Sequence, residues 1–356
     1  MRIEPRRILL LRPSALGDVC RTVPVLASLR RRFPDAVIDW LVQNSYSDAV
    51  RCHPALDSVV LFDRASLRGL WRPRAWMALA GWLASLGRAG YDLVFDLQGL
   101  GRSGLFSLCT GAPRRVGFRD AREFGWLGAN VHVERGERPH TVDQMLRLVE
   151  SQGVPAIADL RLSPPPESTE SWSALRRDLG ADGRYAVLAP TSRWRCKQWP
   201  AERWAEFAAR VLDSCRLERA IVIGAPGEQS QTTWSRAVPR CVDLCGRMRI
   251  GESMAAIADA ALVVANDSAP LHMAVGLGTP YVGLFGPTDP VRVGPYRGAR
   301  WVVSSPLEAG EERRRYRARG DDDTLMRRIG VDEVLARAVE ACAEPAWFRR
   351  VAEGAA

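Results

Sequence analysis

Short apolar runs alternate with amphipathic stretches along most of this 356-residue chain. In the first half, apolar runs at residues 8–11, 36–42, 58–62 and 93–97 predict strands, and the spacing over residues 22–33 predicts a helix. In the second half, runs at 185–189, 220–224, 262–266 and 281–285 predict strands, with helices at about 201–212 and 253–260. This alternation is typical of parallel sheets covered by helices. We therefore expect an α/β fold.

A proline-rich stretch at residues 162–168 interrupts the alternation. Three consecutive prolines oppose helix formation and favour an extended spacer. We predict an N-terminal domain over residues 1–163, a linker over 164–170, a second α/β domain over 171–330 and a helical tail over 331–356. The chain length suits two such domains, and two α/β halves predict a ligand cleft between them.

Composition excludes some classes of protein but does not identify a function. The formal net charge of +9 favours acidic partners, such as phosphorylated substrates, an anionic membrane surface or nucleic acid. No apolar run approaches the roughly 18 residues of a membrane span, and the first residues predict a strand rather than a signal peptide. The eight cysteines are scattered and lack the spacing of a zinc site. We expect a cytoplasmic protein with reduced thiols and no structural metal.

Lysine is the rarest charged residue of the chain. Of the 50 Lys and Arg residues, only Lys197 is a lysine. Its compact ammonium suits a phosphate oxygen in a tight space, where the broad guanidinium of arginine does not fit. Lys197 also follows the predicted strand 185–189, where open α/β sheets bind ligands. A general preference of the chain for arginine, with one lysine left by chance, explains the count equally well.

The segment 265–274 follows a predicted strand and opens a predicted helix. Asp267 and Ser268 suit a helix cap, and Pro270 suits the first turn because it has no amide hydrogen to lose. Free amides at such a helix start favour an anion, so we predict a seat for a diphosphate. His272 in the first turn is either a phosphate ligand or a structural contact. Lys197 across the same cleft strengthens the prediction, because a leaving diphosphate gains charge.

Asp18 follows the first predicted strand, ahead of the helix predicted from residue 22. Gly17 in this bend allows close approach of a ligand, and a carboxylate at the carboxyl end of a strand points into the cleft. Asp18 is therefore a candidate general base. An aspartate near a helix start also accepts backbone amides, and the spacing alone favours that capping role.

Three other patterns receive less specific interpretations. Gly99, Gly101 and Gly104 match a dinucleotide-binding spacing, but the arginine-rich sequence that follows lacks the expected acidic residue, so we discount it. The same loop suits an anionic acceptor or a solvated basic face.

For an apolar stripe we favour core packing over a membrane-facing surface. The stripe consists of Trp71, Trp76, Met77, Leu79, Trp82 and Leu83. The charged segment 308–323, with an aspartate triplet at 321–323, is interpreted as a solvated loop.

Taken together, these segments resemble glycosyltransferase family 9, the ADP-heptose:lipopolysaccharide heptosyltransferases. The matching segments lie in family order at residues 14–19, 96–103, 197–200, 224–228, 266–272 and 285–290. The resemblance implies a GT-B architecture, with two Rossmann-like α/β/α domains and an interdomain cleft. The second domain would hold most of the donor and the first domain the acceptor. It also implies inverting transfer without a metal, with an ADP-sugar as co-substrate and no other cofactor.

The resemblance also implies roles for individual residues. Asp18 would be the base that deprotonates the acceptor hydroxyl, Glu228 would meet the donor ribose, and Met248 would lie beside the adenine. The other implied donor-binding residues are Lys197, Thr191, Ser192, Asp267, Ser268, Ala269, Leu271 and His272. The implied acceptor-binding residues are Ser14, Gly17, Arg102, Arg122 and His140.

The resulting hypothesis is heptose transfer from ADP-heptose to a lipopolysaccharide inner-core acceptor of lipid A–Kdo type. Its expected partners are the nucleotide-sugar donor, a lipid-linked anionic glycan and the anionic inner face of the cell membrane, with no nucleic acid. The alternatives are a family 9 transferase that uses another nucleotide sugar, and a non-catalytic nucleotide-sugar or glycan-binding GT-B module. A dinucleotide oxidoreductase that depends on Gly101 is a third and more distant alternative.

Overall fold

The computed structural model of the protein describes residues 4–64, 73–308 and 321–355. The contacts divide the chain into two compact units, Met1–Asp159 and Leu160–Ala356. Each unit contains one six-stranded parallel sheet with helices packed on its faces. Every strand and helix that the alternating apolar pattern predicts is present in the structure, so the α/β class is confirmed.

The first strand of the first unit is apolar after Arg7 and lies at the centre of its sheet. Its strands are β1 (Arg7–Leu11), β2 (Val37–Gln43), β3 (Ser58–Phe62), β4 (Leu93–Asp96), β5 (Arg114–Phe118) and β6 (Val131–Val133). Its α-helices are α1 (Leu16–Arg32), α2 (Pro73–Arg88), α3 (Gly101–Cys109) and α4 (Thr141–Glu150). In the described part of this unit, 3-10 helices cover Asn44–Ala49 and Gly125–Gly128.

The second unit repeats this organisation. Its strands are β7 (Tyr185–Ala189), β8 (Arg219–Val222), β9 (Cys241–Asp243), β10 (Leu262–Asn266), β11 (Tyr281–Phe285) and β12 (Val302–Ser304). Its α-helices are α5 (Pro166–Asp178), α6 (Ala201–Ser214), α7 (Ile250–Asp259), α8 (Ala269–Leu277), α9 (Pro290–Val293), α10 (Thr324–Arg327), α11 (Val331–Ala343) and α12 (Pro345–Ala352). Strands β7, β10 and β11 are buried along their whole length, as expected of parallel strands covered on both faces.

The two sheets share one strand order. The first is β3-β2-β1-β4-β5-β6 and the second is β12-β11-β10-β7-β8-β9. In each sheet, the strands that are first and fourth along the chain lie side by side, and the strand order runs outward from them in opposite directions. These strands are β1 and β4 in the first unit and β7 and β10 in the second. Ligands of open α/β sheets bind beyond the carboxyl ends of strands at such a reversal. The topology therefore directs attention to the loops after these four strands.

Two boundaries differ from the sequence prediction. Helix α1 begins at Leu16 rather than at residue 22, because Asp18 in its first turn accepts the Ala15 amide at 3.4 Å. Gly17 thus lies inside the helix and not in a bend. Helix α5 begins at Pro166, within the stretch predicted to be extended, because proline at a first helical position loses no hydrogen bond.

The apolar stripe that includes helix α2 is only partly core. Trp82 packs against Phe62 with their ring centroids 5.4 Å apart, which confirms core packing for that side chain. The prediction is wrong for Trp76 and Met77, whose exposed fractions are 56% and 66%. Trp71 lies outside the described residues.

The charged segment 308–323 falls mostly on residues 309–320, outside the described part of the chain. At its end, Asp322 accepts the Thr324 amide at 3.1 Å and Asp323 pairs with Arg327 at 2.9 Å. These aspartates therefore make local contacts at the start of α10. Within the described ranges, no helix is both long enough and apolar enough to cross a membrane.

Candidate active site

The predicted donor-side residues of the second unit lie beyond the carboxyl ends of four adjacent strands. Thr191, Ser192 and Lys197 follow β7, Glu228 follows β8 and Met248 follows β9. The segment 267–272 follows β10 and forms the first turn of α8. Because these strands are parallel neighbours, all of these residues belong to one edge of the sheet.

An ion pair connects the loops at the strand-order reversal. Lys197 Nζ lies 2.7 Å from Asp267 Oδ2, and the Thr288 hydroxyl donates to the same oxygen at 2.7 Å. Both charged side chains are nearly buried, with exposed fractions of 11% and 9%. Burial alone would raise the pKa of Asp267, but the charge and hydrogen bond of Lys197 and the Thr288 hydroxyl lower it below its ordinary value. The charge of the nearby His272 acts in the same direction.

The first turn of α8 presents hydrogen-bond donors beside this ion pair. Within the described residues, the amides of Ser268, Ala269 and Leu271 have no protein acceptor. The Ser268 hydroxyl is buried and likewise has no partner among those residues. A helix N-terminus with free amides attracts anions, and Lys197 adds a full positive charge. The structure therefore brings together the predicted cation, the helix start and His272.

The remaining donor-side residues line the neighbouring loops. Ser192 donates its amide to Gln231 at 3.0 Å and is nearly buried, as is Thr191. Glu228 accepts the Ala225 amide at 2.9 Å and so stabilises the turn after β8. Met248 is half-buried in the loop between β9 and α7. Their placement at the same edge agrees with the sequence interpretation, and their roles toward a ligand stay predictions.

In the first unit, Asp18 is held by two arginines. Its Oδ2 lies 2.9 Å from Arg12 Nη2, and its Oδ1 pairs with Arg21 Nη2. Arg21 also donates to the Thr141 hydroxyl at 3.0 Å, which joins α1 to the start of α4. Asp18 is 28% exposed. The carboxylate thus caps α1, as spacing alone suggested, and also stays open to solvent at the carboxyl end of β1.

The other acceptor-side residues follow strands β1, β4, β5 and β6, which are neighbours in the sheet. The Ser14 amide donates to Gln98 at 3.3 Å, so the loops after β1 and β4 are linked. His140 is buried and caps α4, because its Nδ1 accepts the Val142 amide at 3.1 Å. Because this cap occupies Nδ1, a contact between His140 and the acceptor substrate would have to use Nε2.

Arg102 and Arg122 are acceptor-side cations that form no salt bridge among the described residues. Arg102 is half-buried, with its guanidinium 5.2 Å from the centre of the Phe62 ring. Burial and the charge of Arg64 lower the pKa of Arg102, against the opposing charge of Glu123. Arg122 is exposed in the loop after β5. Both are available to bind an anion.

The glycine pattern at residues 99–104 serves packing. A Cβ on Gly101 would lie 3.1 Å from the Cβ of Glu123, and one on Gly104 would lie 2.8 Å from the Gly125 Cα. The absence of a side chain at Gly101 and Gly104 therefore allows a neighbouring segment of the same unit to pack closely against them. This packing role is a further reason to discount a dinucleotide site. Within the described ranges, no group of three or more His, Cys, Asp or Glu side chains is arranged to hold a metal.

The sequence interpretation missed the residues that orient the two aspartates. Arg12 and Arg21 hold Asp18, and Thr288 shares Asp267 with Lys197. It also missed the buried Asp96 at the end of β4, whose carboxylate accepts the Ser103 hydroxyl at 2.9 Å. Burial raises the pKa of Asp96 to about 6, against opposing backbone and side-chain hydrogen bonds. Arg12, Asp96 and Thr288 all lie in or beside segments that carry the family resemblance, which is the signal that could have identified them.

Comparison with known proteins identifies relatives over most of the chain. The profile of glycosyltransferase family 9 (heptosyltransferase) matches residues 82–320. Lipopolysaccharide heptosyltransferase 1 of Pseudomonas aeruginosa is 30% identical over 306 residues, covering 82% of this chain and 81% of that protein. Lipopolysaccharide heptosyltransferase 1 of Escherichia coli K12 is 26% identical over 320 residues, covering 85% of this chain and 94% of that protein.

Solved structures share the fold. A family 9 glycosyl transferase from Veillonella parvula superposes with a TM-score of 0.79 at 20% identity, covering 97% of this chain and 99% of the other. The ADP-heptose lipopolysaccharide heptosyltransferase II of Escherichia coli gives 0.76 at 21% identity, covering 95% and 99%. These likenesses confirm the GT-B fold of two Rossmann-like units. The chain belongs to glycosyltransferase family 9, the heptosyltransferase family, and is a glycosyltransferase.

Proposed function

We propose that this protein transfers a heptose from ADP-heptose to a lipopolysaccharide inner-core acceptor of lipid A–Kdo type, with inversion at the anomeric carbon and without a metal. The relatives named above are lipopolysaccharide heptosyltransferases. A solved Escherichia coli heptosyltransferase of the same fold was obtained with an ADP-heptose analogue, ADP-2-deoxy-2-fluoro heptose. The observation that carries the proposal is the nearly buried Lys197 beside the unpartnered amides of α8.

On the donor side, the leaving diphosphate gains negative charge as the glycosidic bond breaks. The α8 amides and Lys197 supply fixed positive charge at that point, so no divalent cation is required for it. His272 adds a donor in the first turn of the helix, and the buried hydroxyls of Thr191 and Ser192 add further donors beside β7. Glu228 would contact the ribose and Met248 the adenine.

On the acceptor side, Asp18 would take the proton of the attacking hydroxyl. The acceptor oxygen forms the new bond to the anomeric carbon, the proton passes to the carboxylate, and ADP leaves with the electron pair of the broken bond. Arg12 and Arg21 orient Asp18, since each contacts one of its oxygens. Ser14 and Gly17 lie beside this loop. Arg102, Arg122 and the second nitrogen of His140 would bind the anionic groups of the acceptor.

A lipid-linked acceptor implies a place for the reaction. We propose that the protein works in the cytoplasm, peripherally on the inner face of the cell membrane. The formal net charge of +9 supports attraction to anionic lipid.

Calorimetric titration with ADP-heptose tests the proposal, with UDP-glucose, GDP-mannose and NAD as competing ligands. We expect binding of ADP-heptose alone, weakened by Lys197→Ala, and release of ADP when the acceptor is added. Binding and transfer from another nucleotide sugar would identify a related transferase with a different donor. Binding of NAD, or of none of these ligands, would overturn the proposal.

A further inference from the structure

The exposed apolar side chains of this protein are unevenly distributed. In the described ranges, twelve large hydrophobic residues are exposed, and the second unit contributes three aliphatic ones, Val291, Leu307 and Val339. All of the aromatic ones belong to the first unit. Seven of the twelve lie on three segments of that unit, which we call the apolar face: Trp76, Met77, Leu105, Leu108, Phe124, Trp126 and Leu127.

The three segments are neighbours on one side of the sheet. Helices α2 and α3 connect β3 to β4 and β4 to β5, and these crossovers run in the same direction across the sheet. Right-handed crossovers in one direction place both helices on one face. A Cβ on Gly87 of α2 would lie 3.1 Å from the carbonyl oxygen of Cys109 in α3. A Cβ on Gly104 of α3 would lie 2.8 Å from the Gly125 Cα, so the 3-10 helix packs directly against α3.

The backbone at this surface turns an aromatic ring outward. Glu123 and Phe124 have φ angles of 55° and 59°, in the left-handed region that residues other than glycine rarely adopt. This conformation costs about 1 kcal/mol or more per residue. Phe124 contributes little to the core in return, since 75% of its surface is exposed. Core packing therefore does not account for this side chain.

The apolar face is also positively charged. Residues 73–88, 101–109 and 122–128 contain four arginines and one acidic residue, Glu123. Arg74, Arg88 and Arg122 are exposed and have no carboxylate partner among the described residues. Residues 1–159 hold 22 arginines against 16 aspartates and glutamates, a net charge of +6 within the total of +9. The face thus combines aromatic and aliphatic side chains with unbalanced positive charge.

We propose that the apolar face docks this protein onto an anionic lipid bilayer. Exposed Trp, Phe and Leu side chains enter the headgroup region, and arginines around them meet lipid phosphates. A second copy of the chain is the less suitable occupant, because a symmetric contact would oppose the same arginines across the interface. The inference rests on the proposed function in one respect: docking would bring the acceptor-side loops to a lipid-linked substrate.

Flotation with vesicles tests the surface without any donor or acceptor. The probes are vesicles of phosphatidylcholine alone and of phosphatidylcholine mixed with phosphatidylglycerol. We expect the wild-type protein to float with the mixed vesicles, and Phe124→Ser/Leu127→Ser to bind them at least about tenfold more weakly. The matched control, Val291→Ser/Val339→Ser, removes two exposed apolar residues of the second unit and should float like the wild type. Arg74→Glu/Arg88→Glu should lose the preference for phosphatidylglycerol.

Several outcomes would overturn the inference. They are failure of the wild type to float, equal flotation of Phe124→Ser/Leu127→Ser and wild type, and equal binding to both kinds of vesicle. Sedimentation velocity adds another: a wild-type dimer that becomes a monomer in Phe124→Ser/Leu127→Ser would assign the face to a second copy. Thermal unfolding confirms that each variant is folded. Heptose transfer to a deacylated, water-soluble acceptor should be unchanged in Phe124→Ser/Leu127→Ser, which separates failure of the docking inference from failure of the proposed function.

Discussion

The role of Lys197 can be separated from its pairing with Asp267. In the structure the ammonium neutralises a nearly buried carboxylate at 2.7 Å, and in the proposed function it also binds the donor diphosphate. Lys197→Ala alone removes both. Lys197→Ala/Asp267→Asn removes the cation together with the charge that it neutralises. Comparing the two variants therefore distinguishes a structural lysine from a ligand-binding lysine.

The expected magnitudes differ for stability and for donor binding. Removing one partner of a buried ion pair leaves the other charge uncompensated, which lowers the free energy of unfolding by about 3 kcal/mol. Asp267→Asn in the same chain should restore most of this loss, because the amide oxygen still accepts the Thr288 hydroxyl. A lost charge-assisted hydrogen bond to phosphate weakens donor binding by about 1.5–3 kcal/mol, or roughly 10- to 150-fold. That loss should persist in the double variant.

Urea unfolding measures the first quantity and calorimetric titration with ADP-heptose the second. Lys197→Arg completes the set, since it keeps the positive charge in a larger and planar group. We expect it to unfold at nearly the wild-type urea concentration while binding the donor weakly. Donor affinity restored to the wild-type value in Lys197→Ala/Asp267→Asn would refute the reasoning, because neutralisation of Asp267 would then be the whole function of the lysine.

Three further predictions concern the first unit. Asp18→Asn should lower ADP release in the presence of acceptor by about 10²- to 10⁴-fold, while calorimetry shows unchanged ADP-heptose binding; loss of donor binding would contradict the assignment of Asp18 to the acceptor side. Gly104→Ala should lower the melting temperature, because its Cβ would lie 2.8 Å from the Gly125 Cα, whereas Gly81→Ala, with open space around it on α2, should raise stability by up to about 1 kcal/mol. The pKa of Asp96 is raised by burial from 3.8 to about 6, so the folded state binds the additional proton and stability should fall as the pH rises through this range. Between these pH values the free energy of unfolding in urea should fall by about 3 kcal/mol in the wild type, and Asp96→Asn should remove this fall. An unchanged pH profile in the variant would show that this carboxyl is not the group that titrates.

The central strands could be predicted from the sequence because they are buried on both faces. The runs 185–189, 262–266 and 281–285 are almost entirely apolar, and the structure forms β7, β10 and β11 over those residues. Strand β5 was missed, since it begins with Arg114 and Arg115 and resembles a basic loop. Both guanidinium groups reach neighbouring segments instead: Arg114 to Gln152 and Arg115 to the Gly128 carbonyl. Such anchoring depends on the tertiary fold and leaves no local periodic signal.

The positions of the candidate site residues were predictable, but their partners were not. Residues that follow adjacent parallel strands meet at one edge, so Lys197 and Asp267 could be placed together from motif order. The contact of Thr288 with Asp267 joins two loops, and the contact of Arg21 with Thr141 joins two helices that are far apart in the chain. No pattern within one segment encodes such pairs. Exposure of Trp76 was unpredictable for the same reason, because amphipathic spacing does not say whether a neighbouring element covers the apolar side.

Each unit places a carboxylate and a cation beside the reversal of its strand order, and the difference between these pairs argues for different roles. Asp18 follows β1 and is 28% exposed, so a substrate hydroxyl can reach it while Arg12 and Arg21 fix its orientation. Asp267 follows β10 and is 9% exposed, with one oxygen shared by Lys197 and Thr288. A carboxylate so enclosed orients the lysine better than it could accept a proton from a substrate. We therefore expect proton transfer to depend on the exposed Asp18. Donor binding should depend on the buried pair of Lys197 and Asp267.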